Sequence, residues 1–482
     1  MRHALGYYRA LIVTGRYTMP NGFSFNKESF YPALKHCIST HPMLSAAIKG
    51  EQTEAPEFIR PATLNLSDHV EFLKSIEPAN AGMHAELEAL KPRLCHTHDQ
   101  LFSNVDSVPP WKIVVVPIAN DANPKACWIL FSYSHSHGDG PSALFFHRTL
   151  LHALRDPSLP PSTTATTNPI FTPPATPLLP PIELTVPLPI TWSFLLLPVL
   201  SSYLPTALSI LLPRLFRASV TPQTPDTWAG TPTAYDAPAF RTGAAFAVAA
   251  PATVAALLRQ CRARRGVKLT GVLHALVVRA LGASLPADGR ARAFVAQTAI
   301  DLRRLVPGGA WRGAFGLGVS VAYHAFPRAD AAAAAGTFDE AFWASAKETT
   351  AHLAERAGTL VDQPIGLLRY LRSFRGWLEG MMGKTRDSSY EISNILVFDP
   401  EEGEQRRGGG GGWGIDGMVF SQPANATGSP VNFNVVTTKG GDMVVSLTWQ
   451  KGVLGVEQDE DEWAKRVCEH LERDMEALAE EK

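Results

Sequence analysis

The chain has 482 residues, a formal net charge of −1 and 45% hydrophobic residues, which is typical of a globular protein and gives no electrostatic reason to expect nucleic-acid binding. One hydrophobic core rarely grows to this size, so we expect two large domains. The five cysteines are scattered without a C-x-x-C pair, and the first residues lack the apolar core of a secretion signal. We therefore expect reduced thiols and an intracellular, cytoplasmic protein.

The first predicted domain, residues 1–158, contains helix and strand patterns that lead to one histidine-rich turn. The predicted elements are a helix from about residue 27 to His41, a helix over 82–92, a strand over 112–117, a strand over 126–133 and a helix over 141–155. The strand–turn–helix context at the end of this series makes the turn more informative than a short sequence match.

The turn carries two histidines and an aspartate set between glycines. Strand residues alternate faces, so His135 and His137 are expected to point the same way at the strand end. Gly138 and Gly140 permit backbone angles that other residues resist. A histidine can act as a base near neutral pH, while Asp139 can orient it or balance its charge. We predict that this turn forms the active site.

Residues 159–228 are predicted to be a linker, because proline, threonine and serine dominate its first part. The uncharged stretch Leu184–Pro213 follows, and it is long enough to span a bilayer. Internal prolines interrupt it, each removing a backbone hydrogen-bond donor. Three alternatives stay open: a hairpin packed on the protein, a peripheral or re-entrant anchor formed by 184–217 on endoplasmic reticulum or lipid-droplet membranes, and a spanning helix.

The second predicted domain, residues 229–482, again mixes helices and strands. The predicted strands cover 246–248, 292–300, 391–398, 417–422, 432–438 and 443–450, and the predicted helices cover 251–265, 270–282, 330–357, 364–382 and the residues from Glu457. The segment 401–412 ends in an unbroken glycine run and is predicted to be a low-complexity loop.

Three interpretations of the histidine turn compete. The histidines can simply fill the end of a strand. Alternatively, His135-x-His137-x-Asp139 copies the opening ligand pattern of the metallo-β-lactamase fold, in which imidazoles share a zinc ion. That fold places another histidine directly after the aspartate, where this chain has Gly140. The third interpretation takes His135 and Asp139 together as H-x-x-x-D-G.

The H-x-x-x-D-G pattern resembles the active-site signature of the CoA-dependent acyltransferases with a chloramphenicol-acetyltransferase-like fold. Further segments resemble that superfamily in the same order: His41-Pro42-Met43-Leu44, Pro110-Trp111-Lys112, Asp301-Leu302-Arg303, Ser393-Asn394-Ile395 and Phe420-Ser421-Gln422. The best match within it is the fungal alcohol acetyltransferase family, which also includes enzymes that acetylate amines. The resemblance spans nearly the whole chain.

The resemblance implies an α/β fold of two similar domains, each a mixed sheet covered by helices, with a tunnel between them and His135 at its middle. It implies that His135 takes a proton from an alcohol while that alcohol attacks acetyl-CoA directly, in a ternary complex without an acyl-enzyme. Acetyl-CoA is then a co-substrate, no cofactor or metal is bound, and the protein is expected to be a monomer. Asp139 is expected to turn away and pair with Arg303, while Gly138 and Gly140 support the site.

Other residues receive weaker assignments. Ser393 and Ser421 are candidate donors to the oxyanion, and His137 is expected to be structural or to line the tunnel. A basic run could hold the phosphates of CoA, or simply be a solvated helix end: Arg262, Arg264, Arg265 and Lys268. Three competing functions also stay open, namely acetylation of an amine, zinc-dependent hydrolysis through His135, His137 and Asp139, and ligand binding without catalysis on the same fold.

Overall fold

A computed structural model describes residues 1–23, 25–118, 125–156, 158, 168–196, 221–286, 289, 291–328, 337–402 and 412–481. The helices are α1 (Tyr31–Thr40), α2 (Met83–Asp99), α3 (Gly140–Arg155), α4 (Ile182–Thr185), α5 (Pro251–Ala263), α6 (Leu269–Ser284), α7 (Glu340–Ala357), α8 (Phe374–Glu379) and α9 (Glu460–Glu480). Short 3₁₀ helices cover Glu28–Phe30, Pro42–Ser45, Leu66–His69, Arg303–Leu305, Pro307–Gly309 and Pro364–Tyr370.

The strands fall into two large sheets and two small strand pairs. They are β1 (Leu11–Thr18), β2 (Ala47–Lys49), β3 (Glu57–Ile59), β4 (Leu64–Asn65), β5 (Val70–Phe72), β6 (Trp111–Pro117), β7 (Ala126–Tyr133), β8 (Ile170–Phe171), β9 (Thr242–Ala249), β10 (Ala293–Asp301), β11 (Val319–Pro327), β12 (Tyr390–Phe398), β13 (Gly414–Ser421), β14 (Val431–Thr438) and β15 (Met443–Gln450). β2 pairs with β3, and β4 pairs with β8.

The first sheet joins described strands in the order β13-β1-β7-β6-β5. β7 is its central strand and runs antiparallel to β1 and β6, with Ser132 opposite Ile12. Nearly every side chain of β7 is buried, as expected for a strand covered on both faces. α3 packs on this sheet and α1 packs against α3. The rings of Phe131 and Phe146 stack with centroids 3.8 Å apart, which fixes the strand that delivers the histidine turn.

The second sheet joins described strands in the order β11-β10-β12-β14-β15-β9. It is mixed, because β12 runs parallel to both β10 and β14 while the other pairs are antiparallel. The helices α5, α6 and α9 pack together, and α9 lies against β9. Trp449 of the sheet and Trp463 of α9 belong to the same buried core. The predicted α/β class, with mixed sheets covered by helices, is confirmed.

The two halves are joined more closely than the expected domain division suggests. β13 belongs by sequence to residues 229–482, yet it pairs with β1 in the first sheet, with Ser421 opposite Ile12. It completes an edge of β1 that would otherwise carry unpaired backbone groups. α2 packs against β9, and Leu90 of α2 shares one apolar cluster with Trp128 and Phe246. The later part of the chain is therefore not confined to one half.

The described part of the linker lies against the second half. Val186 and Leu188 are buried in a cluster with Ile300, and the backbone N–H of Asp362 donates to the carbonyl of Pro189. Residues 197–217 of the predicted anchor lie outside the described residues. Among the helices that the structure describes, none is both long and apolar enough to cross a membrane. Membrane contact, oligomeric state and cellular compartment stay predictions.

Candidate active site

The histidine turn begins where β7 ends, at Tyr133, and α3 starts at Gly140. Because both histidines lie beyond the strand, the expectation that they share one strand face is wrong. The side chain of His137 is completely buried, and its Nε2 lies 2.8 Å from the carbonyl oxygen of Ala46. Burial lowers the pKa of His137 to about 4. The imidazole of His137 therefore holds the turn against the strand that follows Ala46.

His135 is held in one tautomer by the backbone. Its Nδ1 lies 2.8 Å from the carbonyl oxygen of Gly138, which only accepts hydrogen bonds, so Nδ1 carries the proton. Nε2 is then the nitrogen with a free lone pair. Burial lowers the pKa of His135, and this effect outweighs the opposing charge of Asp139. The ring of Tyr8 lies beside it, with centroids 5.5 Å apart. The arrangement is that of a neutral base.

Asp139 faces away from His135 and pairs with an arginine of the second half. Arg303 donates from Nη1 and Nη2 to the two carboxylate oxygens at 2.8 and 2.7 Å, and the two side chains are 4% and 2% exposed. The N–H of Gly318 and the hydroxyl of Ser142 donate to the same carboxylate. Burial raises the pKa of Asp139, but the charge and hydrogen bonds of Arg303 outweigh it, so the pKa is lowered overall.

The same carboxylate also caps a helix. Asp139 is the N-cap of α3 and accepts from the backbone N–H of Ser142, whose hydroxyl completes a capping box. One side chain thus ends the turn, starts the helix and fixes the second half against the first. The ion pair that the resemblance implied is present in the structure.

Gly138 and Gly140 are required by close packing rather than by unusual backbone angles. Neither has a positive φ, so the left-handed backbone angles that glycine permits are not used at these two positions. A Cβ on Gly140 would lie 2.4 Å from Cγ2 of Ile395, and one on Gly138 would lie 2.8 Å from the ring of Phe315. Both neighbours come from the second half, which approaches the turn too closely for a side chain.

Two cavities meet at His135. The larger has a volume of about 890 Å³ and is lined by residues of both halves, including Tyr8 of the first and Gln297 of the second. The smaller has a volume of about 700 Å³, and its lining includes Phe58 and Arg369. Each is large enough for a small-molecule ligand. His135 lines both, which places its imidazole where two separately bound molecules would meet.

Several predicted site residues lie elsewhere. The hydroxyl of Ser421 is buried and lies 2.7 Å from Nε2 of His98, so its assignment as an oxyanion donor is wrong. The basic run at the end of α5 does not appear among the described residues that line either cavity: Arg262, Arg264, Arg265 and Lys268. Instead, Arg264 donates to Glu481 and stacks on Trp343, which makes this run a helix end tied to its neighbours. Ser393 does line the larger cavity.

The zinc interpretation also disagrees with the geometry. His137 is turned to Ala46 and Asp139 is turned to Arg303, so neither converges with His135 on one point. Among the residues that the structure describes, no group of three or more His, Cys, Asp or Glu side chains is placed to hold a metal ion.

Sequence reasoning missed a set of polar side chains in the wall of the larger cavity. They are Arg2, Tyr8, Gln297, Tyr323 and Glu391, together with Gln422 from a segment already noted for its resemblance. Gln297 follows the apolar run at the start of β10, and Glu391 is a buried charged residue of β12. A charged residue at a buried strand position is uncommon, and this was the signal available in the sequence.

Comparison with known proteins agrees with the resemblance over the full length of the chain. The alcohol acetyltransferase family matches residues 1–474. The chain belongs to this family. It is therefore an acyltransferase, and the family implies an acyl-CoA co-substrate and an alcohol acceptor. The chain is 24% identical over 484 residues to the probable alcohol acetyltransferase FCK4 of Fusarium pseudograminearum, covering 96% of this chain and 91% of the relative.

A second relative of this alcohol acetyltransferase family member carries the same description, and two solved structures share its fold. The probable alcohol acetyltransferase crmB of Aspergillus fumigatus is 23% identical over 465 residues, covering 94% of this chain and 93% of the relative. The trichothecene 15-O-acetyltransferase TRI3 of Fusarium sporotrichioides has a similar fold, with a TM-score of 0.67 at 12% identity, covering 98% and 92% of the two chains. The first condensation domain of the calcium-dependent antibiotic synthetase also has a similar fold, with a TM-score of 0.57 at 14% identity, covering 98% of this chain and 92% of that domain's chain.

Proposed function

We propose that the protein transfers the acetyl group of acetyl-CoA to the hydroxyl of an alcohol, with His135 as the general base. The observation that carries this proposal is the position of His135, whose imidazole lines both cavities while Nδ1 is committed to the carbonyl of Gly138. Nε2 is then free to accept a proton. A base of this kind typically contributes about 10²–10⁴-fold to the rate.

The reaction needs both substrates bound together. The acceptor alcohol occupies one cavity and the thioester of acetyl-CoA reaches His135 from the other. Nε2 removes the hydroxyl proton as the alcohol oxygen attacks the acetyl carbonyl and forms a tetrahedral intermediate. The C–S bond then breaks, and the imidazolium returns the proton to the CoA thiolate. The ester and free CoA then leave. The mechanism needs no acyl-enzyme, because holding the two reactants together supplies much of the rate enhancement.

Neighbouring residues position the base and stabilise the negative charge that develops on the oxygen of the acetyl carbonyl. Asp139 and Arg303 hold the turn between the halves, while Gly138 and Gly140 let the second half approach it. In this proposal, the hydroxyl of Ser393 donates to the oxyanion, because Ser393 lines the larger cavity with His135. The basic run at the end of α5 is not part of the proposed CoA site.

Mass spectrometry of products tests the proposal. The purified protein is incubated with acetyl-CoA and a mixture of alcohols and amines, and the released thiol is measured in parallel. Acetyl esters with matching thiol release are expected, and both should be lost in His135→Gln. Acetamides without esters would favour an amine acceptor, and thiol release without an acetylated product would favour hydrolysis. Esters formed at the normal rate by His135→Gln would refute the role given to this residue.

A further inference from the structure

The wall of the larger cavity contains a continuous chain of hydrogen bonds that ends on one carboxylate. The hydroxyl of Tyr8 donates to Oε1 of Gln422 at 2.8 Å, and Nε2 of Gln422 donates to Oε1 of Glu391 at 2.8 Å. From the other side, the hydroxyl of Tyr323 donates to Oε1 of Gln297, and Nε2 of Gln297 donates to Oε2 of Glu391, both at 3.2 Å. All five side chains line the cavity.

These contacts fit Glu391 as a carboxylate. Each of its oxygens accepts from an amide N–H, and the amide oxygens of Gln297 and Gln422 already accept from tyrosine hydroxyls. A protonated carboxyl would lack an acceptor for its own proton among these partners. Burial raises the pKa of Glu391 overall, and the hydrogen bond from Gln422 and the charge of Arg2 reduce that rise.

A carboxylate in this position has acceptor capacity left over. An ionised carboxylate offers about four lone-pair sites, and the two amides use one on each oxygen. Glu391 is 8% exposed and what remains open faces the cavity that it lines. Asp387 lines the same cavity and adds a second carboxyl group there. A ligand group placed beside Glu391 must therefore donate a hydrogen bond.

We propose that Glu391 sets acceptor specificity, binding a hydroxyl or ammonium group of the acceptor other than the group that is acetylated. This inference rests on the proposed function, because it needs the acceptor in the larger cavity. Tyr8 lies between the two positions that such a molecule would occupy. Its ring lies beside His135, and its hydroxyl begins the hydrogen-bond chain that leads to Glu391. The acceptor class is then a diol, a polyol or an amino alcohol rather than a plain alkanol.

Acetyl transfer to matched acceptors tests this assignment. The unmodified protein, Glu391→Gln and the control variant Glu379→Gln are assayed with 1-alkanols, α,ω-alkanediols and ω-amino-1-alkanols of matched chain lengths. Glu379 is a solvent-exposed residue at the end of α8 and is not among the described residues that line either cavity. The quantity compared is kcat/KM of each bifunctional acceptor divided by kcat/KM of the alkanol of equal length.

The unmodified protein and Glu379→Gln should prefer a bifunctional acceptor at one or more chain lengths. In Glu391→Gln this preference should fall about tenfold or more, the usual size of a hydrogen bond to a charged group. Diols and amino alcohols separate the hydroxyl and ammonium forms of the ligand. Equal loss with every acceptor in a Glu391→Gln protein of normal thermal stability would overturn the inference, because that result indicates a role that does not depend on the second donor.

If Glu391→Gln does not fold, the acceptor preference of the unmodified protein still tests the inference. A preference for the plain alkanol at every chain length would overturn it, whereas a preference for bifunctional acceptors would support it. Failure of the proposed function looks different, because the unmodified protein would then acetylate no member of the series.

Discussion

Replacing Asp139 by asparagine is expected to lower the free energy of unfolding by about 3–5 kcal/mol, because it leaves Arg303 buried without its main counter-charge. Asparagine has nearly the same shape as aspartate, so the change removes charge rather than volume. The carboxylate receives two hydrogen bonds from Arg303 and others from Gly318 and Ser142. Asp301 keeps one contact with Arg303 at 3.0 Å and still offsets part of its charge, so the loss should lie toward the lower end of the range. Asp301 is 40% exposed, so this compensation is incomplete.

A double-mutant cycle measures the interaction energy between Asp139 and Arg303. Asp139→Asn, Arg303→Met and the double variant are unfolded with urea, and the free energies are compared. Since each single change strands one buried charge, the double variant should cost less than the sum of the two, with a coupling of about 1–3 kcal/mol. Strict additivity, or single losses below about 1 kcal/mol as for an exposed pair, would refute the reasoning.

The dependence of this effect on pH follows from the sign of the shift. The folded-state pKa of Asp139 is lowered from its ordinary value of 3.8, so its stabilising contribution is complete above that value. The contribution is lost as the pH falls through the lower folded-state pKa. The difference between the unmodified protein and Asp139→Asn should therefore be constant near neutral pH and shrink in strong acid.

Three further predictions concern the base and its surroundings. His135→Gln should lower kcat by about 10²–10⁴-fold with little change in thermal unfolding, and near-normal turnover would contradict its proposed role. Because burial lowers the pKa of His135 from 6.5, the acid limb of the kcat/KM profile should have its midpoint below that value; a midpoint above it would count against this base. Gly140→Ala should cost about 1–3 kcal/mol through overpacking against Ile395, as measured by urea unfolding. Ile395→Ala in the same chain should recover part of that loss, and no recovery would point to another cause.

The sequence predicted elements well where an apolar run ended at clear turn signals. The strands predicted over 126–133 and 443–450 are β7 and β15 with the same bounds. β1 and β11 were missed. β1 contains a glycine and an arginine within its apolar run, and β11 alternates small, polar and aromatic residues at the edge of its sheet. Such strands are stabilised by pairing with neighbours rather than by a local pattern.

Helix bounds failed where capping decides them. A single helix was predicted over 364–382, but the structure has a 3₁₀ helix over Pro364–Tyr370 and then α8, which Ser373 caps. The predicted helix over 330–357 begins in the described residues at Glu340, capped by Asp339. In both cases a side chain that accepts from a backbone N–H sets the start of the helix.

Within the candidate site, contacts between residues close in sequence were predictable, whereas contacts that cross the fold were not. His135 and Asp139 are only four positions apart in sequence, so their placement on one turn was predictable, and the resemblance supplied Arg303. The failure of Ser421 as an oxyanion donor depends on His98, a contact that crosses the fold. The polar wall around Glu391 combines residues of β10, β11 and β12 with Tyr8, which precedes β1, and Gln422, which follows β13. No spacing along the chain indicates that these segments meet.

The orientation of Asp139 has a consequence for how His135 can work. In a Ser-His-Asp triad, a carboxylate accepts from Nδ1–H and stabilises the imidazolium that forms during the reaction. Here the partner of Nδ1 is the neutral carbonyl of Gly138, while the carboxylate is occupied by Arg303. The carbonyl fixes the tautomer of His135, but it stabilises the imidazolium less than a carboxylate would. Under the proposed mechanism, the proton taken from the acceptor is therefore held weakly, which favours its prompt transfer to the CoA thiolate and lets one imidazole serve as base and then as acid.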